Sequence, residues 1–186
     1  MTCVILGVSG ASGAALALSA ARHLVDASIG VELVVSPAAE RTLHAECGET
    51  ALRALTDLAD HVHAPSDIGA RIASGSAPVA GMIVAPCSMR SLAAIANGLD
   101  DNLLTRSASV QLKERRPVVL LTREAPLTLA HLRNMTSATE MGAIILPPVP
   151  AFYLNPVSVA DVVDQIAARA VDLLHVASPV ARAWQG

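Results

Sequence analysis

Hydroxyl, cationic and glycine residues directly follow three apolar segments of this chain. Ser9-Gly-Ala-Ser-Gly13 follows the apolar run Cys3–Val8, Pro86-Cys-Ser-Met-Arg90 follows a second run, and Arg123-Glu124 follows a third. Backbone N–H groups in glycine turns and at helix N-termini bind phosphates, and an arginine can hold a phosphate through paired hydrogen bonds. The pattern predicts a site for a phosphorylated cofactor and an anionic substrate.

The end of the apolar run 31–35 separates two cofactor types. A dinucleotide site of the NAD type needs an acidic residue here to bind the ribose, but the sequence has Ser36-Pro37. Serine is a good helix N-cap and proline suits the first helical position, so we expect a helix to begin here. This favours a phosphate, as in FMN, over NAD. The glycine turn alone is weak evidence, because any tight strand-to-helix turn needs small residues.

Cationic residues in the second half of the chain suggest a second phosphate site. Arg106 and Lys113 are seven residues apart, about two helical turns, so a helix would present them on one face. Two further arginines, at 115 and 116, are expected to be solvated near the C-terminus of that helix, where cations complement its dipole. Arg123-Glu124 has two readings that the sequence leaves open: phosphate binding with proton transfer, or a structural ion pair.

Cysteine and histidine residues do not form a recognisable reactive or metal-binding pattern. The three cysteines lack CxxC or Cys/His ligand spacing, which argues against disulfide scaffolds and zinc sites and favours a reduced compartment. Cys87 has no histidine near it in sequence and is expected to be an inert packing residue. His61 and His63 alternate at strand spacing, but we expect them to be solvated rather than metal ligands.

The segments that carry these residues alternate between strand and helix patterns. Such alternation predicts an α/β three-layer Rossmann-like fold with a mostly parallel sheet, in which ligands bind outside the carboxyl ends of the strands. We expect a single flavin-binding domain over residues 1–186, with a short C-terminal tail at 176–186. The helix and strand patterns are weak over residues 48–78, where the cluster Ser74-Gly75-Ser76 resembles a loop rather than a linker between domains. Strands are predicted at 3–8, 31–35, 82–85, 118–121 and 143–146, and helices at 14–25, from 37 onward, at 88–96, 103–114, 127–140 and 159–175.

Composition excludes several functional classes. Hydrophobic residues make up 53% of the 186 residues, with only one Phe, one Tyr and one Trp, so the core must be built from Ala, Val, Leu and Ile. The net charge of −3 argues against a general nucleic-acid binder, which needs a broad basic surface. No apolar run reaches the roughly 18 residues of a membrane span and no basic leader precedes the first strand, so we expect a cytoplasmic protein that does not act on membranes.

Eight motifs, in this order along the chain, resemble those of the UbiX/Pad1 family of flavin prenyltransferases. The resemblance implies a flavodoxin-like Rossmann fold assembled as a homododecamer, which binds reduced FMN and dimethylallyl (mono)phosphate without a metal. It also implies that the prenyl group is joined to N5 and C6 of the flavin, and that the prenylated FMN serves a UbiD-type decarboxylase. The motifs are Gly-Val-Ser9-Gly-Ala-Ser12-Gly13, Ala85-Pro-Cys-Ser88-Met, Ala93-Ala-Ile-Ala-Asn97-Gly, Asp101-Asn-Leu-Leu-Thr-Arg106, Leu112-Lys-Glu-Arg-Arg-Pro117, Arg123-Glu-Ala-Pro126, His131-Leu-Arg-Asn-Met135 and Pro150-Ala-Phe-Tyr153.

The same resemblance implies roles for individual residues. Ser12 would lie near flavin N5, Ser36 would hold the FMN phosphate, and Arg106 would come from a neighbouring subunit. The implied catalytic residues are Ser12, Glu46 and Glu124. The implied cofactor-binding residues are Gly10, Ala11, Ser12, Ser36, Ser88, Met89 and Arg123. The implied residues for the prenyl phosphate are Arg106, Lys113, Tyr153, Arg169 and, over the site, Trp184.

Some positions depart from the family pattern and keep other readings open. Ser36-Pro37 replaces the common Ser-Lys, Ser107 and Ser109 stand where Ala and Asp are usual, and Leu154-Asn155 follow Tyr153 where a His is common. They leave a monophosphate or a diphosphate donor possible. One alternative is a flavin-dependent cysteine decarboxylase, whose active-site His and Asn-rich motif are missing at the expected places. Another is a non-catalytic FMN carrier, which would not need a second phosphate site.

Overall fold

The computed structural model describes residues 2–186 and contains one six-stranded sheet with helices on both faces. Short 3-10 helices lie at Arg71–Ala73 and Phe152–Leu154. The strands are β1 (Cys3–Val8), β2 (Gly30–Val35), β3 (His61–His63), β4 (Val79–Cys87), β5 (Val118–Thr122) and β6 (Ile144–Ile145). The helices are α1 (Ala15–Asp26), α2 (Pro37–Cys47), α3 (Ala51–Thr56), α4 (Met89–Ala96), α5 (Leu103–Lys113), α6 (Leu129–Glu140) and α7 (Val159–Asp172).

The strand order defines where a ligand can enter. The strands lie in the order β3-β2-β1-β4-β5-β6, and every neighbouring pair is parallel. The order reverses between β1 and β4, and a parallel sheet opens a crevice at such a point, outside the carboxyl ends of its strands. The prediction of a three-layer Rossmann-like fold is confirmed, and the sheet is parallel throughout.

Two apolar cores lie on the two faces of this sheet. The strands β1, β2, β4 and β5 contribute side chains to both cores. One core packs against α1 and α7, with Leu24 and Leu33 fully buried, and the other packs against α4 and α5, with Met82 fully buried. Strands covered on both faces need continuous apolar runs, which is why β1, β2, β4 and β5 were predictable from sequence. Alanines at the α1–α7 contact, Ala17 and Ala170 among them, let the two helices approach closely.

The segment 48–78 contains more structure than the sequence predicts. It forms α3 and the edge strand β3, where the weak sequence pattern predicts no element. Glu32 of β2, with about 1% of its surface exposed, contacts His63 Nε2 at 2.6 Å and also pairs with Arg71. The expectation that both histidines are solvated is therefore wrong for His63, because a buried carboxylate must be paired.

The bounds of α6, β6 and α7 differ from the predicted ones, each for a local reason. The helix α6 begins at Leu129 rather than 127, because the Thr128 side chain accepts a hydrogen bond from the His131 backbone N–H and caps it. The strand β6 is shorter than 143–146, and the prolines that follow it cannot donate ladder hydrogen bonds. The helix α7 ends at Asp172, and His175 has a left-handed φ of 55° that a helix does not allow. Within residues 2–186, none of the helices has the length and hydropathy needed to cross a bilayer.

Candidate active site

Ser9 joins the two strand ends that flank the reversal of strand order. Its side chain is almost fully buried, donates a hydrogen bond to the Pro86 carbonyl at 2.9 Å, and accepts one from the Ser88 backbone N–H at 2.7 Å. Ser9 therefore fixes the turn after β1 against the turn after β4. Ser9 is not among the predicted site residues, although a hydroxyl directly after a buried strand is a signal that could have identified it.

The turn after β1 also lies against the N-terminus of α2. A Cβ atom on Gly10 would lie 2.3 Å from the Cβ of Ala38, so only glycine permits this approach. Ser36 caps α2 by accepting a hydrogen bond from the Ala39 backbone N–H at 3.2 Å, and Ser88 caps α4 in the same way. The positive ends of two helix dipoles thus face a cavity of about 400 Å³ that Gly10, Ser36 and Ser88 help to line. Such a cavity suits an anionic group such as the phosphate of FMN.

Glu46, near the C-terminus of α2, lies against the same turn. Its Oε2 accepts hydrogen bonds from the backbone N–H groups of Gly13 and Ala14, both at 2.8 Å. Partial burial raises the pKa of this carboxyl, but hydrogen bonds from Ser12, Ala14 and Gly13 and the positive charge of Arg123 outweigh it and hold the pKa below its ordinary value. The structure therefore brings Ser12, Glu46 and Arg123 together around an ionised carboxylate.

Arg123 carries an unsatisfied donor at the end of β5. Its backbone N–H bonds to the Cys87 carbonyl at 3.1 Å, but its side-chain Nε and the neighbouring Thr122 Oγ1 are buried with no hydrogen-bond partner within residues 2–186. Buried polar atoms are normally satisfied, so these two atoms fit a bound group that offers acceptors, as the flavin ring does. Glu124 is exposed and accepts a bond from the Ala125 N–H at 3.2 Å. Across the described part of the chain it forms no ion pair with Arg123, so the structural reading of that dipeptide is wrong.

A second cavity, of about 430 Å³, contains Tyr153 and Arg169. Leu146 lines it, and because the Leu146 N–H bonds to the Leu120 carbonyl of β5 at 2.9 Å, the cavity lies beside the β5 and β6 strands. The Tyr153 and Trp184 rings meet edge to face, with centroids 5.1 Å apart. Three of the residues assigned to the prenyl phosphate are thus at or beside one cavity.

The remaining two cations lie elsewhere in the chain. Arg106, near the start of α5, pairs with Asp100 at 3.0 Å. Lys113, at the other end of α5, pairs with Glu114, and its Nζ lies next to Gly75, in the segment that leads into β4. A single chain therefore does not bring Lys113 to Tyr153 and Arg169, because α5 packs on one face of the sheet and α7, which carries Arg169, packs on the other.

Two sulfur-containing residues near the crevice pack into the core. Met89 is about 9% exposed, so only its backbone remains available to a flavin. Complete burial raises the pKa of the Cys87 thiol to about 12, which keeps it protonated and unreactive. Among residues 2–186, no three His, Cys, Asp or Glu side chains converge as metal ligands would.

Sequence comparison places this chain among flavin-dependent proteins. A model of the flavoprotein family matches residues 2–176. The probable UbiX-like flavin prenyltransferase of Bacillus subtilis strain 168 is 48% identical over 183 residues, covering 98% of this chain and 89% of the relative. Flavin prenyltransferase UbiX of Escherichia coli K12 is 47% identical over 186 residues, covering 98% of each chain.

Comparison with solved structures also finds UbiX proteins. The crystal structure of AnUbiX (PadA1) in complex with FMN and dimethylallyl pyrophosphate matches with a TM-score of 0.95 and 42% identity, over 100% of this chain and 98% of the other. A dodecameric FMN-dependent UbiX-like decarboxylase from Escherichia coli O157:H7 matches with a TM-score of 0.94 and 42% identity, over 100% of both chains. The FMN-dependent cysteine decarboxylase TvaF is only 18% identical, with a TM-score of 0.65, and shares the fold alone.

Proposed function

This chain belongs to the flavoprotein family and, within it, to the UbiX flavin prenyltransferases, and we propose that its two cavities bind reduced FMN and a dimethylallyl phosphate. The enzyme is a transferase of the flavin prenyltransferase type. We propose that it joins the dimethylallyl group to N5 and C6 of the flavin, as the family resemblance implies. One observation carries the proposal: the chain matches over its whole length a structure that holds FMN and dimethylallyl pyrophosphate.

We assign FMN to the crevice between β1 and β4. Ser36 and the N-terminus of α2 bind its phosphate, because backbone N–H groups and the helix dipole favour an anion there. Ser88 contacts the flavin, and the Arg123 Nε–H, which has no partner among residues 2–186, donates a hydrogen bond to it. Gly10 and Ala11, with the backbone of Met89, complete the walls.

Reduced FMN supplies the electron-rich nucleophile. Breaking the allylic C–O bond of the donor leaves negative charge on the departing phosphate, which the Arg169 guanidinium and the Tyr153 hydroxyl stabilise. Ser12 passes the N5 proton to Glu46, whose lowered pKa keeps it an ionised acceptor at neutral pH. Ring closure at C6 adds a proton to the alkene and releases one from C6, and we assign this exchange to Glu124.

Completion of the phosphate site requires a neighbouring subunit. Arg106 and Lys113 lie away from Tyr153 and Arg169 in the same chain, so we propose that a second copy supplies them, in a dodecamer like that of the Escherichia coli relative. Large apolar side chains remain exposed on the single chain, and assembly would cover such a surface. They include Leu129, Phe152, Val157 and Val159.

Because the three cysteines are free thiols, a reducing cytoplasm suits the protein.

The product is proposed to activate a decarboxylase of the UbiD type. The test is to incubate the enzyme anaerobically with FMN, reductant and dimethylallyl monophosphate or diphosphate, and to add the released flavin to an apo UbiD-type decarboxylase. We expect decarboxylation from the complete mixture and none when the donor is omitted. If the flavin gains the mass of a prenyl group but the decarboxylase stays inactive, the proposed partner is wrong and the transferase activity still holds.

A further inference from the structure

The second cavity contains an arginine that the sequence analysis did not assign. Arg182 lines it together with Arg169 and Tyr153. Within residues 2–186, neither guanidinium makes an ion pair or a side-chain hydrogen bond, whereas Arg90 and Arg106 are each paired with an aspartate. The cavity therefore holds two arginines whose donors remain available to a ligand.

The backbone around Arg182 is fixed by α7. The Asp172 carboxylate accepts hydrogen bonds from the backbone N–H groups of Val180 at 2.9 Å and Ala181 at 3.1 Å. The Gln165 side chain bonds both backbone groups of Arg182: its Oε1 accepts from the N–H at 3.1 Å, and its Nε2 donates to the carbonyl at 3.0 Å. The segment 179–184 is thus fastened across the cavity. A cation on a preformed segment loses less conformational freedom when it binds a ligand.

The charge of the cavity exceeds what one phosphate needs. Two carboxylates are nearby. Asp172 is about 7% exposed, and both of its oxygens accept bonds from the segment 179–184. Hydrogen bonds from the Val157 and Ser158 backbone N–H groups, together with the charge of Arg182, hold the pKa of Asp161 below its ordinary value, and no ion pair within 4.0 Å joins Asp161 to Arg182 in residues 2–186. A guanidinium binds one phosphate group through paired donors. Two free guanidiniums therefore match an anion with two phosphate groups, and the apolar wall beside them, which includes Leu146 and Ile166, suits a short hydrocarbon chain.

We propose that Arg182 binds the terminal phosphate of a dimethylallyl diphosphate and that this chain prefers the diphosphate donor to the monophosphate. The inference rests on the proposed function and adds the donor and a residue that selects it. The allylic C–O bond breaks with its electron pair on the departing inorganic diphosphate, a bond from flavin N5 replaces it, and the N5 proton passes to Glu46. Arg169 binds the phosphate nearer the carbon, and Arg182 binds the outer one.

Donor kinetics of the Arg182→Gln variant test the assignment. With reduced FMN under anaerobic conditions, we expect a lower KM for the diphosphate than for the monophosphate in the wild type. In the variant the diphosphate KM should rise by about tenfold or more, while the monophosphate KM changes by less than about twofold. Arg182→Lys should recover part of the loss. Arg22→Gln, which removes the same charge from the exposed face of α1, is the matched control and should change neither KM. An equal effect on both donors, or a wild type that prefers the monophosphate, would overturn the proposal.

A binding measurement separates this inference from the proposed function. The FMN-loaded protein is titrated with inorganic pyrophosphate and with inorganic phosphate by calorimetry. Pyrophosphate should bind about tenfold more tightly to the wild type, and Arg182→Gln should abolish the difference. Equal affinities in the wild type would overturn the assignment of Arg182 even if prenylated flavin forms. Absence of product with both donors, with the pyrophosphate preference intact, would instead count against the transferase.

Discussion

The Glu46 carboxylate accepts a hydrogen bond from the backbone N–H of Ala14 at 2.8 Å. This contact fastens the end of α2 to the turn from which α1 starts, and a second bond from Gly13 reinforces it. The residue proposed to accept a proton thus also holds the turn that carries Ser12. Its ionised form is needed for both roles.

The Glu46→Gln variant should lose both roles. An amide accepts these N–H bonds less strongly than a carboxylate, and because Glu46 is only slightly buried we expect the free energy of unfolding to fall by only about 1 kcal/mol. Prenylation should slow by at least about tenfold while FMN remains bound. Chemical denaturation at one fixed protein concentration and single-turnover rates measure the two effects.

The stability difference between the wild type and the Glu46→Gln variant should depend on pH. Because the folded-state pKa lies below the ordinary value of 4.5, the contribution of the carboxylate is complete above that pH and disappears as the pH falls through the lowered pKa. Glu40→Gln, on the exposed face of the same helix, is the control and should cost a few tenths of a kcal/mol at most. A difference that grows below pH 4.5 would contradict the hydrogen-bonded carboxylate.

Ser36→Ala should weaken FMN binding beyond its effect on the helix. Loss of the N-cap costs about 1 kcal/mol of stability, and loss of the hydroxyl from the phosphate site should raise the Kd for FMN by about tenfold. The matched control is Ser158→Ala, which removes the equivalent cap from α7 and should leave the Kd for FMN unchanged. Fluorescence titration with FMN measures both. Equal increases in the two variants would show that Ser36 acts only through helix stability.

Lys113→Ala and Arg169→Ala should complement each other. If Lys113 reaches the site of a neighbouring subunit, each variant alone is inactive, but a randomly mixed oligomer formed from equal amounts contains about one quarter intact sites. Prenylation by co-refolded chains should then recover to about that fraction. Co-refolding of two differently tagged Lys113→Ala chains is the control and should stay inactive. No recovery in the mixed sample would mean that Lys113 acts within its own chain.

Cys87 should resist alkylation in the folded protein. Burial raises the pKa of its thiol to about 12, so almost no thiolate exists at pH 8, and no solvent reaches it. Cys3 and Cys47 are partly exposed and should be labelled slowly by iodoacetamide, although burial raises the pKa of each as well. Mass spectrometry of peptides from native and unfolded protein compares the three. Labelling of native Cys87 at the rate of Cys47 would contradict the packing described here.

Local signals in the sequence predicted most of the sheet and the start of α2. Continuous apolar runs gave β1, β2, β4 and β5, because strands covered on both faces have no alternation, and Ser36-Pro37 is a cap whose chemistry is local. The edge strand β3 was missed because it has only three residues, and the contact of His63 with Glu32 joins it to a strand distant in sequence. Short edge strands carry little apolar periodicity of their own.

The site was predictable by residue type but not by arrangement. The motifs identified Ser12, Glu46 and Arg123 separately, but only folding places the charge of Arg123 where it lowers the pKa of Glu46. The helical spacing of Arg106 and Lys113 places both on one face of α5, but it does not indicate that Asp100 and Glu114 pair with them in the single chain. Spacing along a helix determines which residues share a face. It cannot predict which charged side chains from other segments will lie against that face.

The mass of the flavin after one turnover tests the central claim most directly. The protein is incubated anaerobically with FMN, a reductant and either dimethylallyl phosphate, and the released flavin is analysed by mass spectrometry. We predict a flavin heavier by one dimethylallyl group, absent when donor or reductant is omitted and greatly reduced in Arg169→Ala. Recovery of unmodified FMN with both the monophosphate and the diphosphate would contradict the assignment of this chain as a flavin prenyltransferase.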